Sequence, residues 1–219
     1  MTNMLITIDG PAGAGKTSVS RELAKRLNCI YVDTGALYRG VALEVKQAGI
    51  DWEADAVLEP FLNRISLSFA MEGEDPVLTS SGKNISSLIR TPEISMLASA
   101  ISARPCVRKA LLGLQHAIAK NNDTVFEGRD MGTVVFPHAR HKFFLFADLD
   151  TRALRRFKEK QAPEQDLVQV KEMMESRDAN DAGREIAPLT PAKDAVLIDS
   201  THISLEEVVQ RILLEIHRD

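Results

Sequence analysis

Cysteine is scarce in this sequence, and the two that occur, Cys29 and Cys106, lie far apart with no C-x-x-C spacing. Two such thiols provide no disulfide framework, and their apolar neighbours are typical of structural cysteines in a reducing compartment. The five histidines are equally uninformative, because their spacing matches no zinc or iron ligand pattern. We therefore predict neither a disulfide-stabilised fold nor a histidine metal site.

The chain also lacks an excess of positive charge and a long apolar run. Its 27 basic and 31 acidic residues leave a formal net charge of -4, which gives no general attraction to nucleic acid or to an anionic membrane. The longest apolar run, residues 143–147, is too short to cross a bilayer, and residues 1–3 lack the basic start of a signal peptide. We expect a soluble cytoplasmic protein whose partners include neither nucleic acid nor a membrane.

The 219 residues, 44% of them hydrophobic, suffice for one domain with one substantial core. Strand and helix patterns alternate from the start: an apolar strand at 4–8, a helix at 18–27, a strand at 30–32 and a helix at 36–48 that Gly49 ends. This alternation predicts an α/β fold with a parallel sheet covered by helices on both faces. The chain contains no repeat and no Pro/Ser-rich linker, so we predict a single domain, 1–219.

A different pattern interrupts the alternation after residue 60. Apolar residues at 65, 67 and 69 alternate with serines, and turns are predicted at 73–75 and at 81–82, so residues 62–87 are predicted to form a small antiparallel insertion. Beyond it, the patterns predict helices at 92–102 and 107–120, strands at 124–127 and 142–147, helices from Thr151 and from about Pro163, a strand at 195–198 and a helix from Ser204.

The most informative motif is G-x-x-x-x-G-K-[ST] at residues 10–17, placed between a predicted strand and a predicted helix. Its glycines allow backbone N–H groups to face phosphate oxygens, and the helix that follows adds its positive dipole end. Lys16 is predicted to reach the β and γ phosphates, and the Thr17 hydroxyl to ligate Mg²⁺. ATP binding is therefore assigned to Gly10, Pro11, Ala12, Gly13, Ala14, Gly15, Lys16, Thr17 and Ser18.

Many unrelated activities share such a loop, and the rest of the chain has to separate them. The N-K-x-D base-recognition motif of a GTPase and a D-x-x-G switch motif are both missing from the sequence. Instead, arginines occur near predicted turns, and their planar, forked donors suit a second phosphorylated substrate. These arginines are Arg39, Arg108, Arg129, Arg177 and Arg184.

Four segments in this order resemble the bacterial cytidylate kinase family: Ile-Asp-Gly-Pro-Ala-Gly-Ala-Gly-Lys at 8–16, Asp-Thr-Gly-Ala-Leu-Tyr-Arg at 33–39, Gly-Arg-Asp-Met-Gly-Thr-Val-Val-Phe-Pro at 128–137 and Ile-Ala-Pro-Leu at 186–189. The third segment is much more discriminating than the phosphate loop, and the four together span nearly the whole chain. The resemblance implies a P-loop kinase fold, with an acceptor-binding insertion at about 60–92 and a helical lid at about 150–190.

The resemblance also implies roles for individual residues. Arg39, Arg129 and Arg184 would hold the phosphate of the acceptor nucleotide, and with Lys16 they form the predicted catalytic set. The residues that would contact the rest of the acceptor are Thr34, Ser99, Arg108 and Asp130 around the cytosine and Arg177 and Asp181 near the ribose.

Other family-implied features concern the metal and the lid. Glu127 stands where several members of the family have aspartate, and it or Asp33 could hold Mg²⁺ through water, beside Thr17. Arg152, Arg155 and Arg156 share one helix face and would bring positive charge near the ATP phosphates. Gly183 is a candidate hinge.

The predicted reaction is transfer of the γ-phosphate of ATP to CMP or dCMP, with Mg²⁺, by a monomer. Two alternatives remain open at this point: a kinase of the same architecture that phosphorylates UMP, AMP or shikimate, and a regulatory ATPase without an acceptor. Individual assignments also have plainer readings, since Arg177 with Asp181 has the i, i+4 spacing of an ordinary helix ion pair. A basic face such as that of the three arginines after residue 150 is likewise common on surface helices.

Overall fold

The computed structural model of the chain describes residues 3–72, 75–160 and 166–218. They divide into two compact units, which we call the sheet unit (Met1–Tyr31 with Asn122–Asp219) and the helical unit (Val32–Asn121). In chain order the elements are β1 (Leu5–Asp9), α1 (Lys16–Leu27), β2 (Ile30–Asp33), α2 (Thr34–Gln47), α3 (Asp55–Leu62), β3 (Leu67–Glu72), β4 (Asp75–Ser80), β5 (Lys83–Asn84), α4 (Pro92–Ile101), α5 (Pro105–Asn121), β6 (Thr124–Glu127), β7 (His141–Phe146), α6 (Leu149–Lys160), α7 (Leu167–Ala182), β8 (Val196–Asp199) and α8 (Leu205–Ile216).

The sheet unit is built on parallel strands in the order β2-β6-β1-β7-β8. β1 lies at its centre, where Ile6 pairs with Val125 on one side and His141 on the other. One face of the sheet packs its aliphatic side chains against α1 and α8, through residues such as Leu23 and Ile212, which are fully buried. Because β1 is covered by neighbours on both edges, its carboxyl end is a rigid platform for the loop that follows.

The helical unit combines α2, α3, α4 and α5 with an antiparallel sheet in the order β3-β4-β5. Its core contains Leu37, Val41, Leu58, Leu78 and Ile101, all of which are buried. The strands lie close to α2. They pair with one another in antiparallel fashion, which agrees with the antiparallel pattern predicted for residues 62–87. The turn between β4 and β5 has positive φ at Ser81 and Gly82, as the sequence predicts for this tight connection.

The predicted fold class, a parallel sheet flanked by helices with a small antiparallel sheet, is confirmed. One helix was missed: α3 contains Pro60, a residue that argues against helix in a sequence pattern. Two predicted features fall on residues outside those described, namely the turn at Gly73 and the helix start near Pro163. α2 ends as predicted, with Gly49 at φ +62 directly after the Ala48 cap. The insertion at about 60–92 and the lid at about 150–190 stay predictions.

Among the residues that the structure describes, no helix combines the length and the apolar character needed to cross a membrane.

Candidate active site

The phosphate loop connects the end of β1 to the start of α1, and its shape depends on glycine. Gly10 has φ +144, and a Cβ there would lie 1.9 Å from the carbonyl oxygen of Leu145, so no other residue fits without moving the backbone. Gly15 stands at the N-cap of α1 with φ +90, and the first intrahelical bond runs from Val19 N to its carbonyl. The N–H groups of the preceding residues, including Ser18, therefore belong to the electropositive end of the helix, where an anion is stabilised.

Lys16 is buried at the first position of this helix. Its Nζ donates a hydrogen bond to the carbonyl oxygen of Pro11, 2.7 Å away, so the side chain curls over the loop. Burial, followed by the positive charges of Arg129 and Arg177, lowers the pKa of Lys16 to about 7, while the carboxylates of Glu127 and Asp9 act in the opposite direction. A bound polyphosphate would supply the negative charge that this ammonium group needs.

Thr17 is tied to the carboxyl end of β6. Its hydroxyl donates to Glu127 Oε1 at 2.9 Å, and Glu127 Oε2 accepts from the phenol of Tyr31 at 2.6 Å. Glu127 is 8% exposed, so its hydrogen-bonded carboxylate is largely buried. The hydroxyl and carboxylate oxygens are hard donors of the kind that Mg²⁺ prefers, and these residues therefore fit a magnesium ion.

Asp9, the last residue of β1, holds the segment that follows β6. Its two carboxylate oxygens accept from the backbone N–H groups of Met131, at 2.9 Å, and Gly132, at 2.7 Å. These donors open a π-helical turn, Met131–Val135, that begins directly after Arg129 and Asp130. Burial raises the pKa of Asp9 to about 6. The hydrogen bonds from the two N–H groups act in the opposite direction and lower the pKa, because they favour the ionised form.

Three arginines surround a single buried carboxylate in the sheet unit. Asp181, on α7, is 1% exposed and accepts from Arg184 at 2.5 Å and from Arg129 Nε at 3.1 Å. Arg177 Nε lies 3.9 Å from the same carboxylate. The cluster has an excess of positive charge, and two of its members contribute to the lowered pKa of Lys16, so it is well suited to bind an anion near the phosphate loop.

The three arginines of α6 have different surroundings, although the sequence places them on one face. Arg152 is buried and donates to the carbonyl oxygen of Ala12 in the phosphate loop at 3.1 Å, and it also pairs with Asp178 of α7. Arg155 donates to the carbonyl oxygen of Ser200 at 2.6 Å. Arg156 is exposed and pairs with Glu159 at 3.3 Å. Of the three, Arg152 is the one that contacts the phosphate loop.

The remaining predicted site residues lie in the helical unit. Asp33 caps α2 by accepting from Ala36 N at 3.0 Å, and it pairs with Arg39 at 2.8 Å. Gly35 leaves room for this pair, since a Cβ there would lie 3.0 Å from both Arg39 Nη1 and Asp33 Oδ1 and would crowd them. Thr34 is buried beside them at the start of the same helix.

Ser99 and Arg108 are linked through the connection between α4 and α5. Arg108 donates to the carbonyl oxygen of Ser102 at 3.3 Å, and the Ser102 hydroxyl donates to the carbonyl oxygen of Ser99 at 2.8 Å. The Arg108 guanidinium also lies over the ring of Tyr38, 5.9 Å from its centre, so this cation is held next to α2. The predicted acceptor residues therefore divide between the two units. The helical unit contains Thr34, Arg39, Ser99 and Arg108, and the sheet unit contains Arg129, Asp130, Arg177, Asp181 and Arg184.

Two residues with central positions were missed from the sequence. Asp9 lies in the first of the four family segments, directly before the first glycine of the loop, but was given no role there, and Tyr31, two residues before Asp33, lies in none of the four segments. The strand pattern does place Asp9 at the carboxyl end of a central strand, which was a usable signal. Nothing local predicted Tyr31, because its partner Glu127 is far away in the sequence.

Comparison with solved structures supports the fold. An uncharacterised protein from Eubacterium ventriosum superposes with a TM-score of 0.52 at 13% identity, covering 99% of this chain and 100% of that one. The shikimate kinase from Bacteroides thetaiotaomicron superposes with a TM-score of 0.51 at 16% identity, covering 97% and 98%. At such low identity these similarities concern the architecture alone.

Sequence comparison identifies the family. The family model for cytidylate kinase matches residues 6–218. Proteins named cytidylate kinase from Citrifermentans bemidjiense and Syntrophotalea carbinolica are 44% and 45% identical, over 94% and 96% of this chain and 90% of each relative. A third, from Geobacter sulfurreducens, is 45% identical over 95% of this chain and 91% of its own length. The chain therefore belongs to the cytidylate kinase family, as the four motifs predicted.

Proposed function

We propose that this protein transfers the γ-phosphate of ATP to CMP or dCMP, giving ADP and CDP or dCDP. The observation that carries the proposal is the cluster of three arginines on Asp181 in the same unit as the phosphate loop. A protein that only binds or hydrolyses ATP needs one phosphate site, whereas a kinase for a nucleotide needs a second cationic site for the acceptor. Membership of the cytidylate kinase family supports the choice of acceptor.

On the donor side, the loop Gly10 to Ser18 would hold the triphosphate through its backbone N–H groups, and Lys16 would contact the β and γ phosphates. Thr17 and Glu127 would hold Mg²⁺, directly or through water, and Arg152 would keep the loop against α6. When bound, the metal ion would neutralise charge on the phosphates and orient them. Asp33 remains a further candidate for a water-mediated contact with the metal.

On the acceptor side, Arg129 and Arg184 of the sheet unit and Arg39 of the helical unit would bind the phosphate of CMP. Asp130 with Ser99 and Arg108 would recognise cytosine, Thr34 would lie beside the base, and Arg177 and Asp181 would contact the ribose. Asp181 now has a second role, because its carboxylate holds the phosphate-binding arginines in place. The three arginines at Asp181 would supply the local positive charge for a second phosphate in a protein whose net charge is negative.

The chemical step needs positioned charge and no dedicated base. An oxygen of the acceptor phosphate attacks the γ-phosphorus, the bond from that phosphorus to the β–γ bridging oxygen breaks, and ADP leaves with the electron pair. The acceptor oxygen is largely ionised at neutral pH, since the second pKa of a phosphomonoester is about 6. Lys16 and the arginines would stabilise the charge on the transferring group and reduce repulsion between the two nucleotides.

The wider assignments belong to the same proposal: a monomer that acts in the cytoplasm, with nucleotides as its substrates and neither nucleic acid nor membrane as a partner. Movement of the insertion and of the lid over both nucleotides would exclude water, the competing acceptor. Gly183, the C-cap of α7, would act as the hinge for the lid helix.

A panel of acceptors tests the function. Purified protein is mixed with ATP and Mg²⁺ and, separately, with CMP, dCMP, UMP, AMP, GMP or shikimate, and ADP and the phosphorylated product are both measured. We expect strong turnover with CMP and dCMP. Strong turnover with a different acceptor would contradict the base assignments, and ADP release that no acceptor changes would favour a regulatory ATPase.

A further inference from the structure

Asp9 occupies the point where the two nucleotide-binding segments of the sheet unit meet. In sequence it directly precedes Gly10, the first residue of the phosphate loop. In space its carboxylate accepts from Met131 N and Gly132 N, immediately after Arg129 and Asp130. One buried side chain therefore connects the backbone of the donor segment to the backbone of the acceptor segment.

The connection is a helix cap supplied from a different strand. Met131 N and Gly132 N open the π-helical turn, and such N-terminal donors need an acceptor when they are buried. A carboxylate that gives one oxygen to each donor is the strongest kind of cap, because both hydrogen bonds are charge-assisted. The turn is consequently held at its first two residues by β1, the central strand of the sheet.

The cap comes from Asp9 and not from Asp130, the residue at the N-cap position of the turn. Asp130 is the N-cap residue of the turn and has the side chain that commonly caps helices, yet among the described residues its side chain makes no capping hydrogen bond. Asp9 supplies the capping hydrogen bonds in its place.

We propose that Asp9 is a positioning residue for the acceptor, which fixes Arg129 and Asp130 relative to the phosphate loop by capping the turn that follows them. The proposal rests on the proposed function, because it takes Arg129 and Asp130 as acceptor-binding residues. Asp9 itself contacts neither nucleotide in this scheme. It sets the distance between the donor phosphates and the groups that bind the attacking nucleotide, on which in-line transfer depends.

The packing beneath the turn offers a second way to disturb this connection. Gly132 lies so close to the sheet that a Cβ would be 3.2 Å from Thr7 Oγ1, 3.3 Å from Lys142 Cδ and 3.4 Å from Asp9 Oδ2. All three neighbours are side-chain atoms, so alanine at this position would shift the turn or these side chains by a few tenths of an ångström without a backbone collision. The hydrogen bond from Gly132 N to Asp9 Oδ2 would be disturbed although Asp9 itself is unchanged.

Asp9→Asn is the direct test, since it keeps the shape of the side chain but places an amide N–H where an N–H donor now points. We expect the KM for CMP to rise by about tenfold or more, the KM for ATP to change by less than about threefold, and the preference for CMP over UMP to fall. A residue needed only for folding would instead reduce the amount of active enzyme and leave these ratios as they are.

Thr7→Val is the matched control. Thr7 lies two residues earlier on β1, is equally buried and contacts the same turn, and its hydroxyl has no hydrogen-bond partner among the described residues. Valine has nearly the same shape, so the variant should keep both KM values and the CMP preference. A Thr7→Val enzyme with the same kinetic changes as Asp9→Asn would overturn the proposal, because any disturbance of β1 would then suffice.

Gly132→Ala covers the case in which Asp9→Asn does not fold. It should raise the KM for CMP more than that for ATP, in the same direction as Asp9→Asn. Hydrogen exchange measured by mass spectrometry adds a readout that needs no acceptor: exchange in residues 128–136 should increase in either variant, while residues 10–18 keep their wild-type rates.

The outcomes separate this inference from the proposed function. Wild-type protein that phosphorylates none of the acceptors contradicts the proposed function. The other outcomes concern an active wild-type protein whose Asp9→Asn and Gly132→Ala variants change the KM for ATP and for CMP equally, or leave hydrogen exchange at 128–136 unchanged. Either result overturns the positioning role of Asp9 and leaves the proposed function intact.

Discussion

The N-termini of α1 and α8 lie in the same unit but are completed in opposite ways. At α8, Ser204 accepts from Glu207 N at 3.2 Å and Glu207 accepts from Ser204 N at 2.8 Å, so the helix caps itself. At α1 the N-cap is Gly15, which has no side chain, and the first turn carries the buried Lys16 and no acidic residue. We infer that the N-terminus of α8, which caps itself, stabilises the fold, whereas the uncapped, electropositive N-terminus of α1 is suited to bind an anionic ligand.

Lys16→Met should give the largest effect, because it removes the positive charge from the end that depends on a ligand. We expect kcat to fall by about a thousandfold. The melting temperature should stay the same or rise, since the variant removes a buried charge whose pKa is lowered in the folded protein. Lys46→Met, which changes an exposed lysine paired with Glu93, is the control and should leave kcat unchanged.

Arg129→Ala should have the next largest effect, lowering kcat/KM for CMP by about a hundredfold or more. The melting temperature should change little, because Arg184 still pairs with Asp181 at 2.5 Å. A calorimetric scan beside the kinetic assay distinguishes the two roles, and a large loss of stability would make Arg129 a structural residue. Arg156→Ala removes an exposed arginine of α6 and should change neither quantity.

The lowered pKa of Lys16 predicts a proton linked to ATP binding. Without ligand the pKa is about 7, so above pH 7 the amine is mostly neutral; bound polyphosphate stabilises the charged form and raises the pKa. Binding should therefore take up well over half a proton at pH 8 and little at pH 6, and affinity should weaken as pH rises through 7. Titration calorimetry in buffers of different ionisation enthalpy measures this uptake. Equal uptake by Lys16→Met would assign the proton to another group.

Tyr31→Phe tests the hydrogen bond from Tyr31 to Glu127, the carboxylate that also accepts from Thr17. Loss of the phenol removes one donor from the buried Glu127 carboxylate, so the free energy of unfolding should fall by about 1 kcal/mol. The Mg²⁺ concentration for half-maximal activity should rise about threefold, with kcat at saturating Mg²⁺ nearly retained. If stability falls while the Mg²⁺ dependence stays the same, Glu127 has no part in holding the metal.

Ser204→Ala addresses the self-capped helix and should have the smallest effect on activity. We expect a loss of about 1 kcal/mol in the free energy of unfolding from the broken capping box, and unchanged kcat and KM. Chemical denaturation and a standard kinetic assay are sufficient. A kinetic defect in a fully folded Ser204→Ala variant would show that the N-terminus of α8 also contributes to catalysis and not only to stability.

Most of the fold could be predicted from the sequence, because its local signals are strong. Apolar strands, the glycine-rich loop and Gly49 identified the elements to within a few residues, and the amphipathic pattern from Ser204 predicted the start of α8. The two misses have local causes as well: Pro60 disguised α3, and the turn after Asp130 is π-helical, a conformation without a sequence signature.

The candidate site was less evenly predictable. Motifs with short internal spacing, such as the phosphate loop and the segment around Arg129, could be recognised along the chain. Arg152, Arg155 and Arg156 look alike in sequence, but their partners differ because they lie beside different loops. Helix periodicity says which residues share a face and does not say what that face meets.

The family, the α/β fold and the phosphate loop follow from the sequence alone, since each is recognised from short segments whose own residues are close together in the chain. The folded structure was needed to show which distant groups the carboxylates bind: Asp9 binds the turn at Met131, Glu127 binds Thr17, and Asp181 binds Arg129. These hydrogen bonds and ion pairs join groups that are separated by more than 50 residues in the chain and that folding brings together. Burial strengthens such bonds and shifts pKa values, and burial is a property of the folded chain.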